Sequence, residues 1–351
     1  MTRFIILFSR RVLNFVTLIG LFISASELSV MATEPASINI GDLTSRCAPP
    51  LINIVDKNSE FSRLVAANTY ALYAAASNDA YEPRADGKSR AFRLDDAHPD
   101  LKGDPIYGTT GWRRAEQRHS NKSGLSYDVY YHDTSDYLAV LVAYRGTDGW
   151  VDIDLIANLS WLTQWINPWD QYRQARYEFD DVVRRAIKAA NGRPVTFVVT
   201  GHSLGGGLAQ YVAHTHQCTV AVVFNSSFVT NTWLTKRLND APRVIRIYVK
   251  GEPFEMVAKR IVNTGDEAIY RFEGRKYDPQ KIKKFEVTYQ HEIEAIAATM
   301  SRMGIECTRK KECGISDNSA VARTLYCSRY WGYRWKTQPG LKEQTDDEFC
   351  H

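Results

Sequence analysis

Gly201-His202-Ser203-Leu204-Gly205 sets one hydroxyl among small residues, with Gly206 and Gly207 directly behind it. A serine hydroxyl is a poor nucleophile near neutral pH. It becomes a useful one when a base takes its proton and an acid behind the base fixes the tautomer and steadies the charge. The glycines matter because a strand that turns into a helix with almost no loop strains its central residue and leaves no room for side chains on its flanks. Ser203 then stands at the N-terminus of the following helix. There the helix dipole and the Leu204 amide face any negative charge that develops on a carbonyl attacked by Ser203 Oγ.

Such a turn needs a buried strand before it and a close-packing helix after it, and the sequence supplies both. Val195, Phe197, Val198 and Val199 form a β-branched and aromatic run, while Leu204, Leu208, Tyr211 and Val212 recur at helical spacing. Upstream, Tyr127–His132 and Tyr137–Tyr144 read as two strands joined by a hairpin turn at Asp133-Thr134-Ser135-Asp136. The second ends in Arg145-Gly146-Thr147-Asp148-Gly149, where an amide can supply the second half of an oxyanion hole. Thr219–Phe224 and Val244–Val249 are further buried strands, the latter ending at Lys250-Gly251-Glu252-Pro253; Phe285–Tyr289 runs into Gln290-His291. Helices are expected at Ser62–Tyr81, with one face on a core, at Tyr172–Ala190, stopped by Asn191-Gly192, and at Glu292–Met303. Residues 84–124 read as a polar surface excursion around Trp112. This alternation predicts an α/β fold, doubly wound, with a mostly parallel central sheet flanked by helices on both faces. Trp150, Trp161, Trp165 and Trp169 share an apolar face with Ile153, Ile156, Leu159, Leu162 and Ile166. That face suits a lid or an interface-seeking surface, and equally a packed core.

Strand, glycine-flanked serine and helix together make the G-x-S-x-G elbow of α/β-hydrolases, in which serine, acid and histidine follow in that order. Of eight histidines only His291 and His351 follow Ser203 beyond its own helix, which carries His214 and His216. His351 ends the chain and His291 follows a strand, so His291 is the candidate base. Glu252, at a strand end and followed by proline, is the candidate acid; Glu255, Asp240 and Asp266 compete with it.

Tyr144-Arg145-Gly146-Thr147, the Trp/Asp segment, Gly201-His202-Ser203-Leu204-Gly205-Gly206, Gly251-Glu252-Pro253 and a histidine after a strand together resemble the lipase class 3 family. This is the fungal triglyceride lipase-like branch of α/β-hydrolases, and the similarity covers roughly residues 60–300. The resemblance implies Ser203 as nucleophile, His291 as base and Glu252 in the place usually held by aspartate. It implies Thr147 as the oxyanion residue, through its amide and hydroxyl, with Leu204 N–H as the other donor. A glutamate arm must fold back to reach His291; Asp266 or Glu255 would serve if it does not. His202 is implied to pack and hydrogen-bond beneath the elbow. The implied enzyme has an α/β-hydrolase fold and cleaves carboxylic esters of lipids, as a lipase or phospholipase, through an acyl-enzyme. It needs no metal and no organic cofactor, and it meets its lipid or other ester substrate at a membrane or droplet surface. A soluble carboxylesterase and an inactive hydrolase-fold binding protein, with Glu252 marking decay, are the alternative readings, and a toxin with the same chemistry is a third.

Composition sets the bounds. The 351 residues are 44% hydrophobic and 24% charged, an ordinary globular balance able to bury a sizeable core. The net charge is +4, of which the first 32 residues hold +2 through Arg3, Arg10, Arg11 and Glu27. That balance gives no argument for nucleic acid as a partner, and there is no zinc-type cysteine spacing, phosphate loop or dinucleotide fingerprint. The arginines precede an apolar run from Val12 to Ile23, followed by small residues, so residues 1–32 read as a signal peptide cleaved near Ala32, with Ala25 as the alternative site. An uncleaved anchor is the other reading. Export to a periplasmic or extracellular compartment suits six cysteines, Cys47, Cys218, Cys307, Cys313, Cys327 and Cys350, as disulfides, with Cys218 alternatively a buried thiol. Four lie in residues 304–351, a hydrophilic tail expected to be held by cross-links beyond a hydrolase domain spanning 33–303.

Overall fold

Ten elements carry the architecture: α1 (Glu60–Asp79), β1 (Trp112–His119), β2 (Ser126–Asp133), β3 (Leu138–Tyr144), α2 (Gln171–Ala190), β4 (Val195–His202), α3 (Leu204–Thr215), β5 (Thr219–Phe224), β6 (Val244–Val249) and β7 (Glu267–Phe272). They come from a computed structural model that describes residues 60–81, 111–119, 124–146, 171–216, 219–227, 229, 244–250 and 267–272. Of the later chain it describes 293, 296, 297, 299, 300, 303 and 304. All of these fall in one compact unit, Gly41–His351.

The described strands form one seven-stranded sheet in chain order, β1-β2-β3-β4-β5-β6-β7. β1, β2 and β3 pair antiparallel, and β3 to β7 are parallel. The sheet is therefore mostly parallel, as expected. The described strands follow one another across it in chain order, and helices cover both faces, as expected. α2 and α3 pack on each other and lie on the same side, against β3, β4 and β5. The other side is closed by α1 and by helical residues between 293 and 304.

The register separates the two cores. Leu141, Val198 and Val220 form one row, Ala143, Thr200, Val222 and Ile245 the next, and all face α1. Ile293, Ile296, Ala297 and Met300, at helical spacing, join the same cluster. On the opposite face Phe179 of α2 meets Phe197 edge-on at 5.8 Å. Each fully buried Leu, Ile, Val or Phe contributes on the order of 1.5–3 kcal/mol.

Three local outcomes refine the sequence reading. α1 is buried almost all round from Leu64 to Asp79, with only Val65 and Thr69 partly open. Its alanines let neighbours approach from every side, and its polar residues find partners inside: Ser77 Oγ lies 2.9 Å from Thr200 Oγ1, and Tyr130 Oη is 3.3 Å from Asp79 Oδ2. β1 falls in the stretch read as a surface excursion. Trp-Arg-Arg-Ala-Glu-Gln-Arg-His lacks an apolar alternation because it is the edge of the described sheet. Charged residues at such an edge deter pairing with another chain. Its Arg114 reaches inward to the buried Asp128 at 3.2 Å. β7 was not expected either, and the predicted strand at 285–289 lies outside the described residues. The hairpin turn, the α2 helix and its stop are as expected, with Asn191 and Gly192 at φ 50° and 90°.

Three core tyrosines and the half-buried Tyr131 have raised pKa values. Burial is the first cause for Tyr73, Tyr127, Tyr131 and Tyr144; Glu178 adds to it at Tyr127, whose hydroxyl donates to Glu178 Oε2 at 3.1 Å. A phenol whose folded value lies above the ordinary one stabilises fully below about pH 10, and that contribution is lost as pH climbs toward the folded value. The urea midpoint should therefore fall steadily above about pH 10, and Tyr127→Phe should flatten the decline. A midpoint independent of alkaline pH would contradict the burial of these hydroxyls.

Candidate active site

Ser203 joins β4 to α3 with φ 55° and ψ −125°, a conformation that a side chain rarely adopts. Strain of this kind costs about 1–3 kcal/mol and persists only where the surroundings over-determine it. Here they do. Ser203 N–H donates to Phe224 O at 3.2 Å, and Ser203 O accepts from Gly207 N at 3.2 Å and Ser227 N at 3.0 Å. Ser203 Oγ makes no capping bond to α3, so the hydroxyl is not spent on the helix. Leu204 is the first residue of α3, and its N–H has no acceptor within the helix. The N-terminal end of the dipole thus lies beside the hydroxyl.

The glycines act by absence. A Cβ on Gly201 would run into the Gly205 carbonyl, and one on Gly205 would overlap Tyr144 O and approach Arg145 C to 2.8 Å. A Cβ on Gly206 would overlap Ser226, and one on Gly207 would overlap Ser227 Oγ and come within 2.7 Å of Tyr172 Oη. Strand β3, the helix and the loop after β5 close on the turn from three sides. Ser203 is consequently only 4% exposed.

The register brings the neighbouring strand ends to the same edge. Tyr144 pairs with Gly201, so Gly146 passes directly against the elbow, where a Cβ would lie 2.7 Å from His202 O. Phe224, whose carbonyl holds Ser203, pairs with Ile247, and β6 ends two residues later at Val249. Asn225, at φ 38°, donates its N–H to Ile247 O at 2.8 Å and accepts Val249 N–H at 2.9 Å on its side chain. The C-terminal ends of β3, β4, β5 and β6 thus gather at one edge, where open α/β sheets place their sites.

Of the expected site residues, Ser203 and Leu204 are brought together at the turn. Thr147, Glu252 and His291 lie outside the described residues, as do Glu255, Asp240 and Asp266. His202 is the packing residue expected: it is 5% exposed, and its Nδ1 lies 2.9 Å from Tyr81 Oη beneath the elbow. His214 and His216 sit in the last turn of α3 and just past it, on the order of 17 Å along the helix from Ser203. His216 is engaged there by Asp180, 2.9 Å from its Nε2. Sequence reasoning passes over Tyr81, Gln210, Asn225, Ser226 and Ser227, which hold the turn from behind. Their only sequence signal is a glutamine in an otherwise apolar helical stripe. Among the described residues no cluster of metal-binding side chains occurs, and no helix is long and apolar enough to cross a membrane.

Residues 73–278, more than half of the chain, match the phospholipase-like family described as the Tle-like phospholipase domain. No curated protein matches. Among solved structures the chain is similar to lipase II from Rhizopus niveus at 16% identity, over 55% of this chain and 74% of that one, with TM-score 0.36. It is also similar to the Lip2 lipase from Yarrowia lipolytica (14%, 62% and 81%, TM-score 0.42) and to the Rhizomucor miehei lipase propeptide complex (16%, 61% and 74%, TM-score 0.32).

The contact between Gly205 and the β3 carbonyl predicts that Gly205→Ala lowers folding stability by about 1–3 kcal/mol, because backbone cannot yield as a side chain can. Urea unfolding measures it, and an unchanged midpoint would mean that the elbow is not packed against β3.

Proposed function

The chain belongs to the Tle-like phospholipase domain family, and on that premise we propose that it is an exported serine hydrolase that cleaves lipid esters through Ser203, His291 and Glu252. The strained turn at Ser203, set at a helix N-terminus with its hydroxyl free of the cap, carries this reading. Ser203 Oγ attacks the ester carbonyl carbon while His291 takes its proton. The oxyanion is received by the N–H groups of Leu204 and Thr147 and by the Thr147 hydroxyl. His291 returns the proton to the departing alcohol, leaving an acyl-Ser203. Water then attacks that ester with His291 again as base, releasing the carboxylic acid and restoring the serine. Glu252 keeps the imidazole in the required tautomer and balances its charge. Its place in the sequence, three residues after β6 ends at Val249, supports this role, because the end of β6 lies at the edge shared with Ser203. The mechanism uses no metal or organic cofactor.

Export rests on the arginines and apolar run of residues 1–32, and the six cysteines suit the oxidising compartment that export implies. The substrate is read as a lipid ester met at a membrane or droplet surface, in line with the family and with the tryptophan-rich stretch 150–169.

Ser203→Ala and His291→Ala should each lower turnover by about 10⁶-fold, and a loss smaller than about tenfold rejects the assignment. Thr147→Gly should cost about 10²–10³-fold. A fluorophosphonate should label Ser203 in the unaltered protein; absence of labelling would favour an inactive scaffold. With tributyrin, the rate should jump as the substrate passes from solution to emulsion, and a rate that saturates below the solubility limit would favour a soluble carboxylesterase.

A further inference from the structure

Gln210 lies inside α3, 1% exposed, seven residues after Ser203 and therefore close to two turns along the same side of the helix as Gly206 and Gly207. Every polar atom of its carboxamide is engaged. Arg246 Nε, from β6, donates to Gln210 Oε1 at 2.8 Å. Gln210 Nε2 donates to Ser226 Oγ at 2.8 Å and to Ser227 O at 3.0 Å. A guanidinium can only donate, so Arg246 fixes which end of the amide faces it and leaves both Nε2 hydrogens for the loop after β5. That loop is what holds the elbow: Ser227 N–H donates to Ser203 O at 3.0 Å. Ser227 is thus gripped at both backbone groups, by Ser203 on one side and Gln210 on the other. The glycines at 206 and 207 let the loop come close, and Gln210 is the first side chain beyond them that can take hold of it.

We propose that Gln210 is a positioning residue for the nucleophile, transmitting the fixed place of β6 through Arg246 to the loop at Ser226 and Ser227 and so to the backbone of Ser203. The proposal rests on the reading of Ser203 as nucleophile. Its effect falls on the chemical step, because all three bonds of the carboxamide go to buried groups of the fold that hold Ser203 from behind.

Gln210→Glu keeps the size of the side chain and an acceptor for Arg246 but removes both donations to the loop. Gln210→Met removes all three bonds at similar volume, and Ser226→Ala deletes one bond while keeping the Cβ. In the full chain, kcat and KM for dissolved p-nitrophenyl butyrate and the rate of fluorophosphonate labelling at Ser203 are measured, each corrected for the folded fraction from urea unfolding. Both Gln210 variants should lose about tenfold to a hundredfold in kcat and in labelling rate, the scale of a small displacement of a reacting atom, with KM within about twofold. Ser226→Ala should lose less and add nothing to Gln210→Met in the double variant. A folded Gln210→Met with kcat within about twofold of the parent overturns the proposal, as does a change confined to KM. Should neither Gln210 variant fold, an unchanged kcat in Ser226→Ala overturns it and a reduced one supports it. A parent that is not labelled at Ser203 overturns the nucleophile reading and this proposal together; a labelled parent with equally fast variants overturns this proposal alone.

Discussion

At Ser203 the backbone is held in a conformation it would leave if released, and the parts of the fold nearest to it are arranged to prevent that release. The strain of about 1–3 kcal/mol is of the same order as the net worth of the three hydrogen bonds on the residue, each about 0.5–1.5 kcal/mol. Hydrogen bonds alone would leave little margin. The rest comes from packing: β3 closes on Gly205, the loop after β5 closes on Gly206 and Gly207, and Tyr81 supports His202 from below. Any side chain on these glycines would push away a wall that keeps the turn shut.

The parallel pairing of the strands makes this possible. Because β3 to β6 all run in the same direction, their C-terminal ends fall at one edge of the sheet. The same arrangement divides labour between the faces. α2 and α3 cover the face that bears Phe197, while α1 and the helical residues near 293–304 cover the face that bears Val198 and Thr200. Polar groups on the second face are paired across long sequence distances, as with Ser77 and Thr200, so this core specifies a register as well as burying surface.

Much of this architecture is legible in the residues. The runs Val195–Val199, Tyr137–Tyr144, Thr219–Phe224 and Val244–Val249 are mostly apolar on both faces, Arg246 being the charged exception, and that pattern has few uses other than a strand between two layers of helix. The elbow is legible because glycine spacing and a change of period coincide at one serine. β1 escapes because its residues answer to an edge and to Asp128, a partner 14 residues away, and not to a local alternation. The all-round burial of α1 escapes for a related reason: alanine does not distinguish a helix with one covered side from a helix covered on every side. Gln210 is visible in the sequence only as a polar residue out of place, and its meaning depends on Arg246 and Ser227, 36 and 17 residues further along. Of the proposed site residues, Ser203 and Leu204 lie at the strand-to-helix turn that the sequence predicts, and Thr147, Glu252 and His291 lie outside the described residues.

The order of the strands also bears on how the chain assembles as it leaves the ribosome. From β3 onward each new strand finds its hydrogen-bonding neighbour already made, so the sheet can lengthen at one growing margin with modest contact order. α1 is the exception. It emerges first, yet the hydroxyl that Ser77 meets belongs to a residue 123 positions later, and the imidazole that Tyr81 meets lies 121 positions later. Before β4 is made α1 can meet β2 and β3, through Tyr130 and Leu141, but not the hydroxyl of Thr200 or the imidazole of His202, so its docking is completed only when β4 joins the sheet.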